Sequence, residues 1–267
     1  MCVVSTDGTW LGDVGTARQP DYSSDGAQLL VNGDGGGLDK LRTSDPIGGN
    51  GNWREIGDPG LAGHSHPAWS PDGTQVIYDD NTIGGADWHI FRRDLTSITG
   101  PGEEMAATGG PITGANPLHP LWATGDRFIF RGCQTWAGQG GICGLWLMQG
   151  QRGDPQKLTD NFRHIPTDVH GETIVYVSDE TGDWNVHTLN IATKATRQLT
   201  FDQAADALAT ISPDGQTVAF LSNQGGSLAV WHVDINGGDS KKMFDIPANW
   251  GALRSDGWAE ERLSWGP

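Results

Sequence analysis

Short runs in which hydrophobic and polar residues alternate recur along the whole chain. Each copy begins with a short apolar run, and a β-rich run such as AQLLVNG, QVIYDD, RFIFRGC, TIVYVSD or TVAFLSN follows it. A third run often carries tryptophan, and a fourth ends in forms such as KLTD or RQLTFD. Alternation with a period of two is typical of β-strands, and no segment keeps a helical period. The pattern therefore predicts repeated four-stranded antiparallel units.

A turn motif joins the first two runs of each copy. It reads SPDG in two copies and SSDG in another, and its last position recurs every 44 to 53 residues at Gly26, Gly73, Asp126, Gly171 and Gly215. Proline presets φ, and Asp-Gly supplies the acceptor and the permissive backbone that reverse a chain between two strands. A period of about 47 residues is that of a four-stranded propeller blade.

At this period the 267 residues hold about 5.7 units. We therefore predict one all-β domain over 1–267, a six-bladed β-propeller of four-stranded antiparallel blades. Ring closure would protect the sheet edges that a single unit leaves open. The predicted blades are 19–59, 64–109, 117–160, 163–202, 206–247 and a composite blade in which 258–267 pairs with 1–14.

Composition and charge narrow the function. The 40 glycines and 14 prolines suit many short strands and turns, and 12 tryptophans provide a large aromatic core. A formal net charge of −16 argues against nucleic-acid binding and favours basic partners. No apolar run approaches the roughly 18 residues that a membrane span needs. The first residues lack the features of a signal peptide, and we expect the chain to be a module of a longer protein.

The repeated units resemble those of a known family. WSPDGTQVIYDD and ISPDGQTVAFLSN are similar to the WD-repeat-like units of the TolB-like β-propeller family, and the resemblance covers essentially all of the chain. Members of this group serve as protein-docking modules, as gating domains beside peptidases and as sensor domains of membrane kinases. The related oligogalacturonate lyases are metal-dependent enzymes. The resemblance therefore implies a bacterial, extracytoplasmic propeller, periplasmic or secreted, without fixing its activity.

Candidate functional residues lie at the start of the predicted first strands, which line the central channel in this fold. We predict that they surround one channel mouth: Gln19, His64, His66, His119, His164, Asp206 and Arg262. Histidine stands in three consecutive blades, so His66, His119 and His164 form a candidate site for a divalent metal. The alternative, which we favour, is a polar lining of the mouth. Carboxylates in loops 32–39, 79–87 and 178–183 offer oxygen ligands for calcium, although solvated hairpin tips explain them as well.

Two of the three cysteines flank a predicted hairpin. Cys133 and Cys143 would face each other across it, so their sulfur atoms could form a disulfide bond. Such a bond would indicate an oxidising compartment. The alternative is two separate buried thiols.

Together these patterns favour a monomeric, non-catalytic recognition module that needs no cofactor. We expect it to bind a protein or peptide through its loops and channel mouth. No Ser/His/Asp or Cys/His arrangement stands in a recognisable nucleophile context. The alternative is a carbohydrate-binding propeller or a metal-dependent propeller that cleaves polysaccharides.

Overall fold

The fold is all-β in the part of the chain that the structure describes. This computed structural model describes residues 1–34, 39–45, 53–56, 63–80, 88–96, 102–106, 117–136, 139–150, 155–247 and 261–267. Every regular element in these ranges is a β-strand. A search of the same residues finds no helix with the length and hydropathy of a membrane span.

A hairpin and five four-stranded antiparallel sheets follow one another along the chain. The hairpin consists of β1 (Cys2–Val4) and β2 (Trp10–Asp13). The first sheet contains β3 (Arg18–Tyr22), β4 (Leu29–Asp34), β5 (Asp39–Ser44) and β6 (Arg54–Ile56). The second contains β7 (His64–Trp69), β8 (Gln75–Asp80), β9 (His89–Asp94) and β10 (Glu103–Ala106).

The remaining three sheets have the same order of strands. The third contains β11 (Leu118–Trp122), β12 (Arg127–Trp136), β13 (Gln139–Gln149) and β14 (Gln156–Lys157). The fourth contains β15 (Ile165–His170), β16 (Thr173–Ser178), β17 (Asn185–Asn190) and β18 (Thr196–Gln198). The fifth contains β19 (Asp206–Ile211), β20 (Thr217–Ser222), β21 (Ala229–Asp234) and β22 (Lys241–Asp245).

The sheets are the blades of a propeller. Their first strands are innermost, and contacts run from β3 to β7, β11, β15 and β19 in order. The apolar core lies between neighbouring blades, as one cluster shows in which Ile77 and Ile90 of the second sheet pack with Phe128 and Phe130 of the third. Equivalent clusters join the first and second, the third and fourth, and the fourth and fifth sheets. The predicted all-β propeller with four-stranded antiparallel blades is confirmed.

The C-terminal segment 261–267 lies between the fifth sheet and the first. Leu263 and Trp265 pack with Leu208 and Val230 of the fifth sheet. The backbone N–H of Tyr22, in the first sheet, donates to Ser264 Oγ at 3.1 Å. The N-terminal hairpin also adds to this region, since Met1 and Val3 pack against the core of the first sheet. Both ends of the chain therefore lie against the first sheet.

A buried serine organises the repeated turn. Ser70 Oγ donates to Asp72 Oδ1 at 2.6 Å and accepts the N–H of Gln75 at 2.9 Å. Asp72 Oδ1 in turn accepts the N–H of Thr74 at 3.0 Å. The same bonds occur at Ser23 and Ser212. The sequence pattern identified the Asp-Gly pair, but the serine two residues earlier is what connects its carboxylate to the following strand.

Replacing this serine should weaken the blade. Ser70→Ala leaves the N–H of Gln75 without its acceptor and the carboxylate of Asp72 without its hydroxyl donor. We expect the free energy of unfolding to fall by about 1–2 kcal/mol, measured by urea denaturation. Ser240→Ala is the control, because the Ser240 hydroxyl makes only long contacts of 3.3 and 3.5 Å with Gln224. Equal stability of the two variants would contradict this account of the turn.

The cysteines occupy facing positions of one hairpin. The register of β12 and β13 pairs Cys133 directly with Cys143. Cys143 is disulfide-bonded, and Cys2 is a free thiol. The side chain of Cys133 lies outside the described residues, so the pairing of these two cysteines stays a prediction.

Peptide mapping tests the predicted bridge between Cys133 and Cys143. Protein prepared without reductant should yield one cross-linked peptide that contains both residues, and reduction should separate it into two. Cys2 should react with a thiol reagent before reduction. Alkylation of all three cysteines in the unreduced, unfolded protein would contradict the bridge.

Candidate functional site

The innermost strands carry a β-bulge at an equivalent point in four sheets. The register shifts between Arg18 and Asp21 in the first sheet, and at matching positions in the second, third and fifth. The first residue of each bulge has φ between +46° and +53°, and these residues are Gln19, His66, His119 and Leu208. Residues other than glycine seldom adopt this backbone conformation. Contacts between blades must therefore hold it.

Side-chain acceptors of one blade bind the bulge of the next. Gln19 Oε1 accepts the backbone N–H of His66 at 2.8 Å and the amide of Asn32 at 3.0 Å. Asp79 Oδ2 accepts the backbone N–H of His119 at 2.9 Å and lies 2.8 Å from His66 Nδ1. The bulge frees an N–H from the strand ladder, and the preceding blade satisfies it. Gln19, His66 and His119 are thereby part of the channel wall.

Two aspartates make a second set of bonds between blades, nearer the turns. Asp21 Oδ2 accepts the N–H of Trp69 at 2.6 Å. Asp168 Oδ2 accepts the N–H of Ile211 at 2.7 Å and the hydroxyl of Thr210 at 2.8 Å. Asp21 and Asp168 each follow the bulge of their own strand, in the first and fourth sheets. Each of them therefore bonds its own blade to a neighbouring blade, at two separated points of the ring.

Arg262 brings a positive charge into this region from the C-terminal segment. Its Nη1 donates to the carbonyl oxygen of Pro67 at 2.6 Å. Burial lowers the pKa of Arg262, and the negative charges of Asp21, Asp168 and Asp79 oppose that shift. One guanidinium thus interacts with three carboxyl groups that belong to three different blades.

Burial changes the acidity of the two aspartates. It raises the pKa of Asp21 to about 7, although Arg262 and the N–H of Trp69 act in the opposite direction. It also raises the pKa of Asp168, against the donors Ile211 and Thr210. The carboxyl group of Asp21 therefore titrates near neutral pH.

Four of the predicted mouth residues are buried, and their position around a channel mouth stays a prediction. Gln19, His66 and His119 are buried, with at most 6% of their surface exposed. His64 is also buried, packs against the ring of Tyr78 and places Nε2 3.2 Å from Asp80 Oδ2. His66 and His119 lie in bulges whose backbone N–H groups bond side chains of the preceding blade.

Asp206 is likewise an interior residue. It begins β19 and is fully buried. Burial raises its pKa to about 6.

His164 does not join His66 and His119. The ring centroids of His66 and His119 lie 3.9 Å apart, but His164 packs against Tyr176 and its Nε2 lies 3.1 Å from Glu180 Oε2. The register of the fourth sheet makes His164 the counterpart of His64. The reason is that the turn after β15 is shorter than the SPDG turn, so counting back from the glycine misplaces the histidine by two residues.

The metal and calcium predictions find no support in the geometry. Within the described ranges, no three His, Cys, Asp or Glu side chains are grouped to hold a metal ion. In loop 178–183, Asp179 pairs with Arg163 and Glu180 with Asn161 and His164. Residues 35–38 and 81–87 of the other two loops lie outside the described residues.

A cavity of about 370 Å³ opens at the other end of the innermost strands, where the turns are. We call it the axial pocket. Its wall is formed by the last residues of the innermost strands and the C-terminal segment: Tyr22, Trp69, Trp122, Val169, Ile211 and Trp265. Asp21 and Asp168, both half-buried, lie one residue deeper. Exposed turn residues form its rim, among them Ser24, Pro71 and Pro213.

The sequence contained a signal for this pocket. An aromatic residue stands directly before the turn in the first, second and third copies, at Tyr22, Trp69 and Trp122. Because equivalent positions of the innermost strands lie at the same end of the channel, this shared position brings the three rings together at the pocket.

The surroundings of the pocket are negatively charged. The turn carboxylates Asp25, Asp72 and Asp214 have lowered pKa values, chiefly because a serine hydroxyl and a backbone N–H bond each of them. They are therefore ionised at neutral pH. The nearby cation Arg127 is paired with Glu172. The pocket is thus complementary to positive charge.

The raised pKa of Asp21 predicts a pH dependence of stability. The unfolded carboxyl group ionises near 3.8 and the folded one near 7, so between these pH values only the folded state keeps the proton. Stability then falls as pH rises through this window. Asp21→Asn keeps an acceptor for Trp69 but has no proton to lose. Between pH 4 and 7.5 the free energy of unfolding of the wild type should therefore fall by about 1–3 kcal/mol relative to that of the variant. Urea denaturation measures this difference, and parallel pH curves would contradict it.

Comparison with known proteins gives distant relatives. No family model matches the chain. An uncharacterized protein of Agrobacterium fabrum is 22% identical over 189 residues, which are 67% of this chain and 57% of that protein. The chain thus spans just over half the length of this curated relative.

Similar solved structures share the architecture. TolB from Agrobacterium tumefaciens has a TM-score of 0.66 at 19% identity, covering 86% of this chain and 81% of that chain. TolB from Acinetobacter baumannii has a TM-score of 0.61 at 18% identity, covering 86% and 52%. An oligogalacturonate lyase in complex with manganese has a TM-score of 0.60 at 13% identity, covering 87% and 67%. The chain therefore has the fold of the TolB-like β-propellers, as its repeated turn motif indicates.

Proposed function

We propose that this chain is a non-catalytic recognition module and that a segment of a partner protein or peptide binds in the axial pocket. The observation that carries the proposal is the composition of the pocket wall. It combines four aromatic side chains with two carboxyl groups, on strands joined by hydrogen bonds between blades. A preformed, largely apolar pocket with a few fixed polar groups is the usual form of a binding site.

The polar groups of the pocket favour binding over catalysis. The lining serines Ser23, Ser70 and Ser212 each donate their hydroxyl to the aspartate of their own turn. Those aspartates also accept a backbone N–H. The pKa of each of these carboxyl groups is lowered, so it is too weak a base to activate the hydroxyl as a nucleophile.

A metal-dependent, lyase-like activity is the alternative, and the histidines fit it poorly. Nε2 atoms of His66 and His119 are buried without a hydrogen-bond partner, as free metal ligands would be. However, His164 bonds Glu180 through Nε2 and lies against Tyr176, apart from the rings of His66 and His119. Within the described residues, the third ligand that a divalent site needs is missing. We therefore propose no metal-dependent step.

We also propose that the propeller has six blades, with the sixth shared by the two ends of the chain. Segment 261–267 contacts the fifth sheet through Leu263 and the first through Ser264. The β1–β2 hairpin approaches both neighbours, since Met1 packs on the first sheet and Gly8 adjoins Phe244 of the fifth. Residues 258–260 of the proposed blade lie outside the described residues.

We also propose an extracytoplasmic location for the protein, periplasmic or secreted. The disulfide bond of Cys143 is of the kind that persists in oxidising compartments. The acidic surface, with a formal net charge of −16, supports a basic protein partner and disfavours nucleic acid. We propose that the domain acts as a monomer.

Peptide selection tests the proposed function. Peptides selected from a random displayed library should bind the wild type and lose about tenfold or more in affinity with Trp122→Ser, because an aromatic wall is lost. Trp10→Ser is the matched control, since Trp10 is 56% exposed and is not part of the pocket lining. Titration calorimetry measures both. Equal effects of the two substitutions would contradict binding in the axial pocket.

A glycan array probed with and without manganese tests the alternative function. Under the proposed function no discrete oligosaccharide binds in either condition. A discrete ligand that also competes with the selected peptides would instead support carbohydrate binding.

A further inference from the structure

We propose that the floor of the axial pocket binds a single cationic side chain, lysine or arginine, of the partner segment. This inference rests on the proposed function and names the chemistry that the pocket selects. It would make the pocket specific for one basic residue rather than for apolar peptides in general.

The charges at the floor are unbalanced. Asp21 and Asp168 lie at the floor, and both interact with the one guanidinium group of Arg262, which also interacts with Asp79. The nearby imidazole of His119 adds no positive charge, because burial holds its pKa well below the ordinary value. Arg262 also donates one N–H to the carbonyl oxygen of Pro67. A further positive charge at the floor would therefore be stabilised by carboxylates that the protein neutralises only in part.

The aromatic wall suits a cation better than an anion or a sugar hydroxyl. The indole N–H of Trp69 donates to the carbonyl oxygen of Asp21 at 3.1 Å. That of Trp122 donates to Gly125 at 2.8 Å. These two donors are already used, so neither indole N–H is offered to an anion or a hydroxyl group of a ligand. Aromatic faces attract ammonium and guanidinium groups.

The size of the pocket also points to one side chain. Its volume of about 370 Å³ lies near the lower end of the roughly 300–1,000 Å³ that small-ligand pockets span. The aliphatic stem of lysine or arginine would lie along the aromatic wall while its charged end reaches Asp21 and Asp168. A larger folded element would meet the rim at the turns instead.

Proton linkage should accompany binding. A cation near Asp21 favours the ionised carboxylate, so binding displaces a proton from the fraction of molecules in which Asp21 is protonated. The charged and titratable groups around it are Arg262 of the C-terminal segment, Asp79, Asp168, Tyr22 and, at the rim, His170. Affinity for a lysine ligand should therefore fall as the pH is lowered below about 7.

The test compares two peptides that differ only in charge, acetyl-Gly-Lys-Gly-amide and acetyl-Gly-norleucine-Gly-amide. NMR titration of the tryptophan indole N–H signals should show the lysine peptide binding about tenfold more tightly, or better, at pH 8. Asp168→Asn and Asp21→Asn should each remove most of that difference. Asp239→Asn is the matched control, because it makes the same change in net charge at an exposed position.

Each outcome decides the inference. Equal binding of the two peptides, or a preference for lysine that survives both aspartate substitutions, would overturn it. Failure of both peptides to bind would overturn it as well. None of these results would by itself refute the proposed function, which depends on whether Trp122→Ser impairs the binding of the selected peptides. The chemical shifts of signals remote from the pocket verify that each variant is folded.

Discussion

Hydrogen bonds from a side chain of one blade to the backbone of the next fix the geometry of this propeller. Gln19, Asp21, Asp79 and Asp168 each accept an N–H from the innermost strand of the following blade. Apolar packing between sheets is tolerant of small shifts, whereas a bond of this kind sets the spacing and rotation of neighbouring strands. A bond to a neutral acceptor such as Gln19 contributes roughly 0.5–1.5 kcal/mol, and a bond to an ionised carboxylate roughly 1.5–3 kcal/mol. That is enough to offset a bulge residue held at positive φ.

The same bonds connect stability to the proposed function. Asp21 and Asp168 hold the next blade with Oδ2 and also line the axial pocket. Burial of a carboxyl group at this position destabilises its ionised form, as the raised pKa of Asp21 shows. An amide at these positions would accept the same N–H with a smaller desolvation penalty. The carboxyl groups in this pocket are therefore a feature that the proposed ligand would account for.

Local patterns in the sequence predicted the blades well, because alternation and the Asp-Gly turn depend on neighbouring residues. The positions of the site residues depend instead on turn length, bulges and packing between blades, which neighbouring residues in the sequence do not determine. Counting back from Gly171 placed His164 beside His66, although the shorter turn after β15 gives it the register of His64. The bulges at Gln19, His66 and His119 turn polar residues into the wall, and their positive φ leaves no mark in composition. Which end of the channel opens into a pocket follows from packing around the whole ring.

The pocket is less symmetric than the fold that surrounds it. Going around the ring from the C-terminal segment, the wall positions are Trp265, Tyr22, Trp69 and Trp122, followed by Val169 and Ile211. Four consecutive positions are thus aromatic and the remaining two aliphatic. A ring of near-identical blades would present the same surface in every direction, so this division gives a bound segment one preferred orientation. Because strands fix the backbone of five of these six wall residues, changing the recognised ligand would require only substitutions at the strand ends and not a new fold.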